Sequence, residues 1–245
     1  MNSSIPNEET TGLDFLSHLE ELRRRIIVCV IALILITICV FFFGDKIMLL
    51  TKAPLRGLVK ELIFISPSEA FVAYFKVVLL AGFVISFPVV LYHVGAFLSP
   101  AFKQGTKRRV FLWFFLALIL FFLGVLFSYF LALPAALRFL IQFGEDIAVP
   151  SITLGKYVSF FGALILIGGI IFEIPVMIAF LADAGIVSSG VLKKKRHIAV
   201  VAMMIFSAVI TPTQDIMNML IFFLPMIALY EVGILLAAFL EKKKA

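Results

Sequence analysis

Residues 164–181 read LILIGGIIFEIPVMIAFL, and this stretch decides the class of fold. An apolar run of about 20 residues is long enough to cross a bilayer as a helix. Glu173 is the one charged residue in the run, and a carboxylate at that depth costs about 2.5–3.5 kcal/mol. Pro175 removes a backbone donor two residues later and tends to kink the helix. Glu173 is therefore either a functional group that faces protein or a wet cavity, or a structural residue that is paired or protonated.

The composition of the whole chain is that of a membrane protein. Of its 245 residues, 63% are hydrophobic and 28 are Phe, which is more apolar surface than a soluble core of this length needs. Six apolar segments lie between turns marked by Pro and Gly. They are residues 26–43, 70–98, 110–133, 157–181, 197–210 and 216–239. We therefore predict an all-α integral membrane protein with six transmembrane helices in one membrane domain, 1–245.

The distribution of basic residues predicts the orientation of these spans. Lysines and arginines are concentrated in the N-terminal flank, in the second and fourth connections, and in a basic tail at 240–245. The positive-inside rule then places both termini in the cytoplasm, which agrees with an even number of spans. The fifth segment covers only ~21 Å as a helix, against ~30 Å for the hydrocarbon core. We predict that the fifth and sixth helices are short.

Residues 13–25, LDFLSHLEELRRR, have apolar side chains on one helical face and charged side chains on the other. This pattern predicts an amphipathic helix along the cytoplasmic interface, ahead of a six-span bundle at 26–239. Two acids on this helix, Glu20 and Glu21, have two interpretations. Either they pair with arginines of the same helix at i,i+4, or they accept the guanidinium groups of a visiting peptide.

No arrangement of residues typical of catalysis is found. The sequence has no nucleophile–base motif and no phosphate-binding loop. The histidines, His18, His93 and His197, are far apart in sequence, and no metal-ligand spacing is present. The bases cluster at membrane edges rather than on a nucleic-acid-binding face. We therefore expect no enzyme activity, no cofactor, no metal and no nucleic-acid partner.

Several short motifs occur in order along residues 13–240. They are HLEELRRR at 18–25, APL at 53–55, FPVVLY at 87–92, AFLSP at 96–100, YF at 129–130, FEIP at 172–175, KKR at 194–196, TP at 211–212 with Asp215, and YEVG at 230–233. The first resembles the HLxELRxR signature of the TatC family, the multispanning receptor subunits of the twin-arginine protein translocase. Each motif is short, and their common order along nearly the whole chain establishes the resemblance.

The resemblance implies a receptor for signal peptides that contain paired arginines. Glu21 matches an acid that helps bind that pair, and Glu173 matches an intramembrane acid that faces a concave surface. The first cytoplasmic loop departs from the family, because Lys107 stands where a glutamate is common, and Glu20 is an extra acid that compensates for it. The predicted signal-peptide contacts are Glu21, Arg23, Glu20 and Arg108. The predicted intramembrane polar contacts are Glu173, Tyr129, Thr211, Asp215 and Glu231, and the predicted structural prolines are Pro54, Pro88, Pro175 and Pro212.

The resemblance also implies partners and an energy source. The protein would be the core subunit of a translocase that exports folded proteins across the bacterial cytoplasmic (inner) membrane, driven by the proton motive force. Single-span TatA- and TatB-type subunits would join it at the fifth and sixth helices, and the chain would form a homo-oligomer within the complex. The alternative is a proton-coupled secondary transporter of a small solute, with Glu173 as the coupling site. Binding that depends on twin arginines would distinguish the two.

Overall fold

The computed structural model of the chain describes residues 8–59, 61–98, 107–145, 150–210 and 216–244. Within these ranges the regular elements are helices, and no β-strand is present. Five segments of this part of the chain are long and apolar enough to cross a membrane, and Arg196–Ile210 is a shorter apolar helix. The all-α class predicted from the sequence is confirmed for the described residues.

The helices follow one another along the chain with short connections. They are α1 (Glu8–Phe41), α2 (Gly44–Lys52), α3 (Pro67–Leu98), α4 (Lys107–Phe127), α5 (Leu133–Glu145), α6 (Leu154–Ile171), α7 (Ile174–Asp183), α8 (Ser189–Lys194), α9 (Arg196–Ile210) and α10 (Ile216–Lys244). A π-helical turn, Ser128–Ala132, joins α4 to α5. Pro134 follows that turn, where the hydrogen-bond register changes, so its missing N–H does not end the helix. The third span therefore continues well beyond the predicted limit at residue 133.

Helix α1 runs without a break from Glu8 to Phe41. The predicted amphipathic helix at 13–25 is therefore the first part of the same helix as the first span and is not a separate element. Residues 13–41 contain neither Gly nor Pro. Helix propagation then adds one hydrogen bond per residue with nothing to interrupt it.

The predicted fourth span is divided at Phe172 and Glu173, between α6 and α7. Pro175 lies in the first turn of α7 and has no N–H with which to bond the carbonyl of Ile171, four residues earlier. The N–H of Glu173 bonds the carbonyl of Ile170 at 3.1 Å, in the tighter i→i−3 pattern. The predicted kink at Pro175 is confirmed as a break just ahead of the proline.

The prediction of a short sixth helix is wrong. Helix α10 extends over 29 residues, which is ~44 Å of helix, and it continues through Pro225. Past Phe239 its end is held by Glu241, whose carboxylate accepts hydrogen bonds from the backbone N–H (2.7 Å) and the hydroxyl of Ser189. The basic tail predicted at 240–245 is thus helical as far as Lys244. The short fifth helix is confirmed, because α9 has 15 residues.

The core of the bundle lies where α3, α4 and α6 pack side by side. Helix α1 lies against α3, and α10 lies against α7 and α9. Helices α4 and α6 approach closely at Gly168, where any Cβ would meet the hydroxyl of Ser128. The largest fully buried side chains come from several of these helices. They include Tyr157, Phe121, Leu133, Leu164, Met226 and Ile234.

Different helices and connections meet at the two ends of the bundle. At one, the ring of His18 in α1 stacks on Phe97 in α3, with centroids 4.3 Å apart, and α8 meets the end of α10 through Ser189. We call this the amino-terminal end. At the other, α2 lies beside the connections that lead into α3 and α6, and Ile63 exchanges backbone hydrogen bonds of 3.1 and 2.8 Å with Ile152 and Leu154. We call this the α2 end.

Candidate functional site

Glu21 lies on α1 at the amino-terminal end, with its carboxylate only partly engaged. Its Oε1 accepts two hydrogen bonds from the Arg25 guanidinium, at 2.9 Å from Nε and 2.5 Å from Nη2. Its Oε2 lies 3.8 Å from Nδ1 of His18. The Glu21 side chain is 37% exposed, and exposed ion pairs of this kind contribute only about 0.2–1 kcal/mol. Of the two interpretations of Glu21, the i,i+4 pair is the one present in the structure, as a pair with Arg25, and it is weak enough for the arginine to be exchanged.

The surroundings of Glu21 form a charged patch on α1, in the part of that helix that precedes the first apolar segment. Glu20 and Arg23, two of the predicted signal-peptide contacts, are both exposed. The stacking of His18 on Phe97 holds this part of α1 beside the end of α3. Helix α4 begins at Lys107, and the side chain of Arg108 lies outside the described residues. The structure therefore describes the α1 half of the predicted peptide site.

Glu173 lies at the break between α6 and α7, about ten residues and hence ~15 Å of helix from the end of α7. Its side chain is half-buried, and Oε1 is enclosed with no hydrogen-bond partner among the described groups. If Glu173 were one half of an interhelical pair, its partner would lie beside it. The described part of the chain contains no such partner. Leaving a buried polar group unsatisfied costs about 1–3 kcal/mol, which a bound partner would remove.

Glu231 has a partner within the chain. Its Oε2 lies 2.5 Å from Nη2 of Arg196, and both side chains are partly exposed. This ion pair joins the start of α9 to the middle of α10. Beside it, the hydroxyl of Tyr230 donates to the carbonyl of Leu192 at 3.1 Å. In this structure Glu231 is bonded to the chain's own Arg196, and its role as an intramembrane polar contact stays a prediction.

Two tyrosine hydroxyls secure the end of α2. Tyr129, predicted as an intramembrane polar contact, donates to the carbonyl of Leu50 at 2.9 Å. Tyr157 donates to the carbonyl of the buried Thr51 at 2.5 Å. These carbonyls are at the C-terminus of a helix, where the last four lack intrahelical partners. Sequence analysis missed Tyr157, although a tyrosine buried among apolar residues needs a partner for its hydroxyl.

The remaining predicted residues are distributed over separate elements. Pro54 lies in a 3₁₀ turn after α2, Pro88 lies inside α3 without ending it, and Pro175 lies in the first turn of α7. Thr211, Pro212 and Asp215 lie outside the described residues. Glu21 and Glu173 are on different helix pairs, α1 with α3 and α7 with α10. The structure does not bring the two acids into one site.

The fold and these two acids define the class of protein: a multi-pass helical membrane protein with an exposed charged patch at one end and, within a span, an acid that has no partner among the described residues. Residues 17–225 match the family described as Sec-independent protein translocase protein (TatC). The chain belongs to the TatC family.

Relatives of known name match over nearly their full length. The TatC protein of Carboxydothermus hydrogenoformans is 34% identical over 236 residues, which cover 96% of this chain and 97% of that protein. The TatC protein of Koribacter versatilis is 34% identical over 249 residues, 99% of this chain and 92% of that protein. A crystal structure of the twin arginine translocase receptor TatC superposes with a TM-score of 0.80 at 33% identity, over 91% of this chain and 99% of that one.

The family assignment decides between the two functions drawn from the sequence. Its members are components of a protein translocase. Protein translocation is therefore the function of this chain, and transport of a small solute, the alternative based on Glu173, is set aside.

Proposed function

We propose that this protein is the signal-peptide receptor and core subunit of a twin-arginine translocase, which exports folded proteins across the bacterial inner membrane. A relative of known structure is named a twin arginine translocase receptor. The observation on which the proposal rests is the carboxylate of Glu21, with Oε1 bound to Arg25 and Oε2 available beside His18. An arginine of the signal peptide binds Oε2 or takes the place of Arg25, because a guanidinium matches a carboxylate in geometry and charge.

The proposed topology has six spans with both termini in the cytoplasm. The five long apolar segments and the shorter α9 supply the six. The bases of the N-terminal flank and of the fourth connection then lie on the cytoplasmic side, as the positive-inside rule requires. The amino-terminal end of the bundle is the cytoplasmic end in this arrangement, and Glu21 faces incoming precursors there.

The short α9 supports a local thinning of the bilayer. With 15 residues it spans ~22 Å, less than a hydrocarbon core of ~30 Å. The Arg196–Glu231 pair places its first residue beside the middle of α10 rather than beside the end. The bilayer around α9 must therefore become thinner, or protein must take the place of lipid there, because a charged pair is costly in hydrocarbon. Thinning helps a translocase move a folded cargo without a fixed pore.

Helix α9 is also the proposed docking element for single-span TatA- and TatB-type subunits. Large apolar side chains are exposed along its length, among them Ile198, Val201, Ile205 and Val209. A partner helix covers this surface and relieves the mismatch with the bilayer. Glu173 offers a polar contact to such a helix or to an inserted signal peptide at mid-membrane. The chain forms a homo-oligomer within the complex, and the proton motive force supplies the energy.

Site-specific crosslinking in membranes tests the receptor proposal. A photoreactive residue replaces Leu19, an exposed neighbour of Glu21 on α1, and a matched control replaces Leu49, which is exposed on α2. A twin-arginine signal peptide is expected to crosslink at position 19 and not at position 49, and a twin-lysine peptide at neither. Equal crosslinking of both peptides at position 19 would remove the basis of the proposal.

A further inference from the structure

A cavity of about 890 Å³ lies between α3, α5 and α6 near the α2 end of the bundle. Most of its wall is apolar and includes Val72, Leu140, Ile141 and Phe160. Neither Glu21 nor Glu173 contacts it, and signal-peptide reception uses none of its residues. Its polar lining is confined to a few groups, of which two are lysines.

Lys76 is the unusual residue of this cavity. It lies nine residues into α3, within an apolar span, where an ammonium group is costly unless it is paired. Its Nζ donates to the hydroxyl of Ser159 at 2.9 Å, and that hydroxyl donates to the carbonyl of Gly155 at 2.9 Å. Among the described residues no carboxylate lies within ion-pair distance of Lys76. Its positive charge is therefore met by a neutral hydroxyl.

Glu69, the one acid among the described residues of the cavity wall, binds backbone N–H groups and not Lys76. Its Oε2 accepts from the N–H of Ile65 at 2.9 Å, and its Oε1 accepts from the N–H of Gly155 at 2.8 Å. The carboxylate joins the start of α3 to the start of α6 and builds the wall. It is two helical turns, or ~10 Å, from Lys76 along α3. Lys156, which is exposed and lines the same cavity, adds a second cation.

We propose that this cavity binds an anionic glycerophospholipid, with the phosphate on Lys76 and Lys156 and an acyl chain along the apolar wall. A lysine ammonium binds phosphate as a point charge, and that attraction is strong next to an apolar wall, where little water screens it. The cavity offers both halves of such a ligand: cations within a span and an apolar wall beside them. The bound lipid touches α3, α5 and α6 together and neutralises a charge that the described protein leaves unpaired.

Lipid binding to the purified full-length protein in detergent tests the proposal. Dioctanoyl-phosphatidylglycerol, dioctanoyl-phosphatidylcholine and inorganic phosphate are titrated separately, and bound molecules are counted by native mass spectrometry. The parent protein is expected to prefer phosphatidylglycerol. Lys76→Gln weakens that binding by about fivefold, as expected for loss of one lysine from a lipid site, and Lys76→Arg retains it. Lys52→Gln, at an exposed lysine on α2 outside the cavity, leaves it unchanged.

A second variant tests the apolar half of the site. Val72→Trp places a larger side chain in the apolar part of the cavity and keeps both lysines. It is expected to weaken phosphatidylglycerol binding. Its thermal unfolding temperature should differ from that of the parent by no more than that of Lys76→Arg does. Equal affinity of the parent and Lys76→Gln for phosphatidylglycerol overturns the proposal. So does equal binding of the two lipids, or displacement of the lipid by inorganic phosphate at similar concentrations, because either result removes the need for an anionic lipid.

Discussion

Glu21 and Glu173 are the same side chain in two surroundings. One oxygen of Glu21 binds a guanidinium of its own helix in a partly exposed ion pair, so this partner can be exchanged for another cation. The buried oxygen of Glu173 has no hydrogen-bond partner in the described part of the chain, so it gains from any donor that reaches it. We infer that the first recognises charge and the second recognises a polar group within the membrane.

Glu21→Gln is expected to weaken twin-arginine peptide binding by about 1.5–3 kcal/mol, the usual contribution of a hydrogen bond to a charged group. Glu20→Gln should have a smaller effect if Glu21 is the direct contact. Fluorescence anisotropy of a labelled peptide at low salt measures both affinities. Asp45→Asn, at an exposed acid on α2, is the control. Parent-like affinity in the Glu20 and Glu21 variants alike would show that the peptide binds elsewhere.

At Glu173, the Gln and Ala substitutions separate shape from charge. Gln keeps the hydrogen-bonding capacity and loses ionisation, whereas Ala loses both. A polar contact between membrane helices contributes about 0.6–2 kcal/mol, so Glu173→Ala should impair transport of a folded precursor more than Glu173→Gln. Peptide binding at Glu21 should persist in both, because the acids lie on different helix pairs. Equal defects in Gln and Ala would instead point to a required charge or to proton exchange.

At the scale of the helices, the long α10 positions two shorter helices, α8 and α9, that pack against it. Ser189 bonds Glu241 near the end of α10, and Arg196 bonds Glu231 near its middle. The start of α9 is thereby held part-way along α10. The 15-residue α9 is thus bonded to its longer neighbour near its start, through Arg196, and near its end, where the Ser207 hydroxyl donates to the carbonyl of Met219 at 2.6 Å.

Exchange of the two charges tests this arrangement. Glu231→Arg should lower the thermal unfolding temperature in detergent, because it places two arginines together. The double variant Arg196→Glu with Glu231→Arg should recover most of the loss, since the attraction between the two groups is restored. Glu231→Gln is expected to have an intermediate effect. If the double variant is no more stable than Glu231→Arg alone, the ion pair does not hold α9 in place.

The loop before α4 offers a related prediction from the sequence. Lys107 stands where TatC family members commonly have a glutamate, and its side chain is outside the described residues. Lys107→Glu should strengthen twin-arginine peptide binding through Coulomb attraction if the loop faces the arginine pair. The same anisotropy assay measures this change, and Lys193→Glu in the fourth connection is the control. A weaker or unchanged affinity means that the loop lies away from the peptide.

Across the whole molecule, the close packing of α4 on α6 fixes the position of α6 in the core of the bundle. Gly168 permits this approach, because a side chain there would meet Ser128 and the backbone at Gly124. Helix α6 leads directly into the break at Glu173, so its position also sets the position of that acid. A shift of α6 would therefore alter the membrane-embedded site without any change at Glu21.

Gly168→Ala is expected to destabilise the protein by about 1–3 kcal/mol, the usual cost of overpacking a core. Gly95→Ala on α3 is the matched control, since a methyl there enters open space and alanine favours the helix. Thermal unfolding in detergent measures both. The Gly168 variant should lose transport before it loses peptide binding. A Gly168→Ala protein as stable as Gly95→Ala would mean that α4 and α6 can separate at little cost.

The sequence by itself determined the number and approximate position of the apolar helices, the break near Pro175 and the shortness of α9. These properties depend on neighbouring residues: the length of an apolar run, a missing N–H, or a charge that ends a span. Family membership was also predictable, because the motifs keep their order along the chain.

Only the tertiary structure decided which polar groups meet. Two carbonyls of α2 accept hydrogen bonds from Tyr129 and Tyr157, 79 and 106 residues later, and Glu231 bonds Arg196. The same holds for the end of α10, where Glu241 accepts a hydrogen bond from Ser189, 52 residues earlier. Such contacts depend on how helices distant in sequence are placed side by side, and helical periodicity within one segment contains no information about that placement.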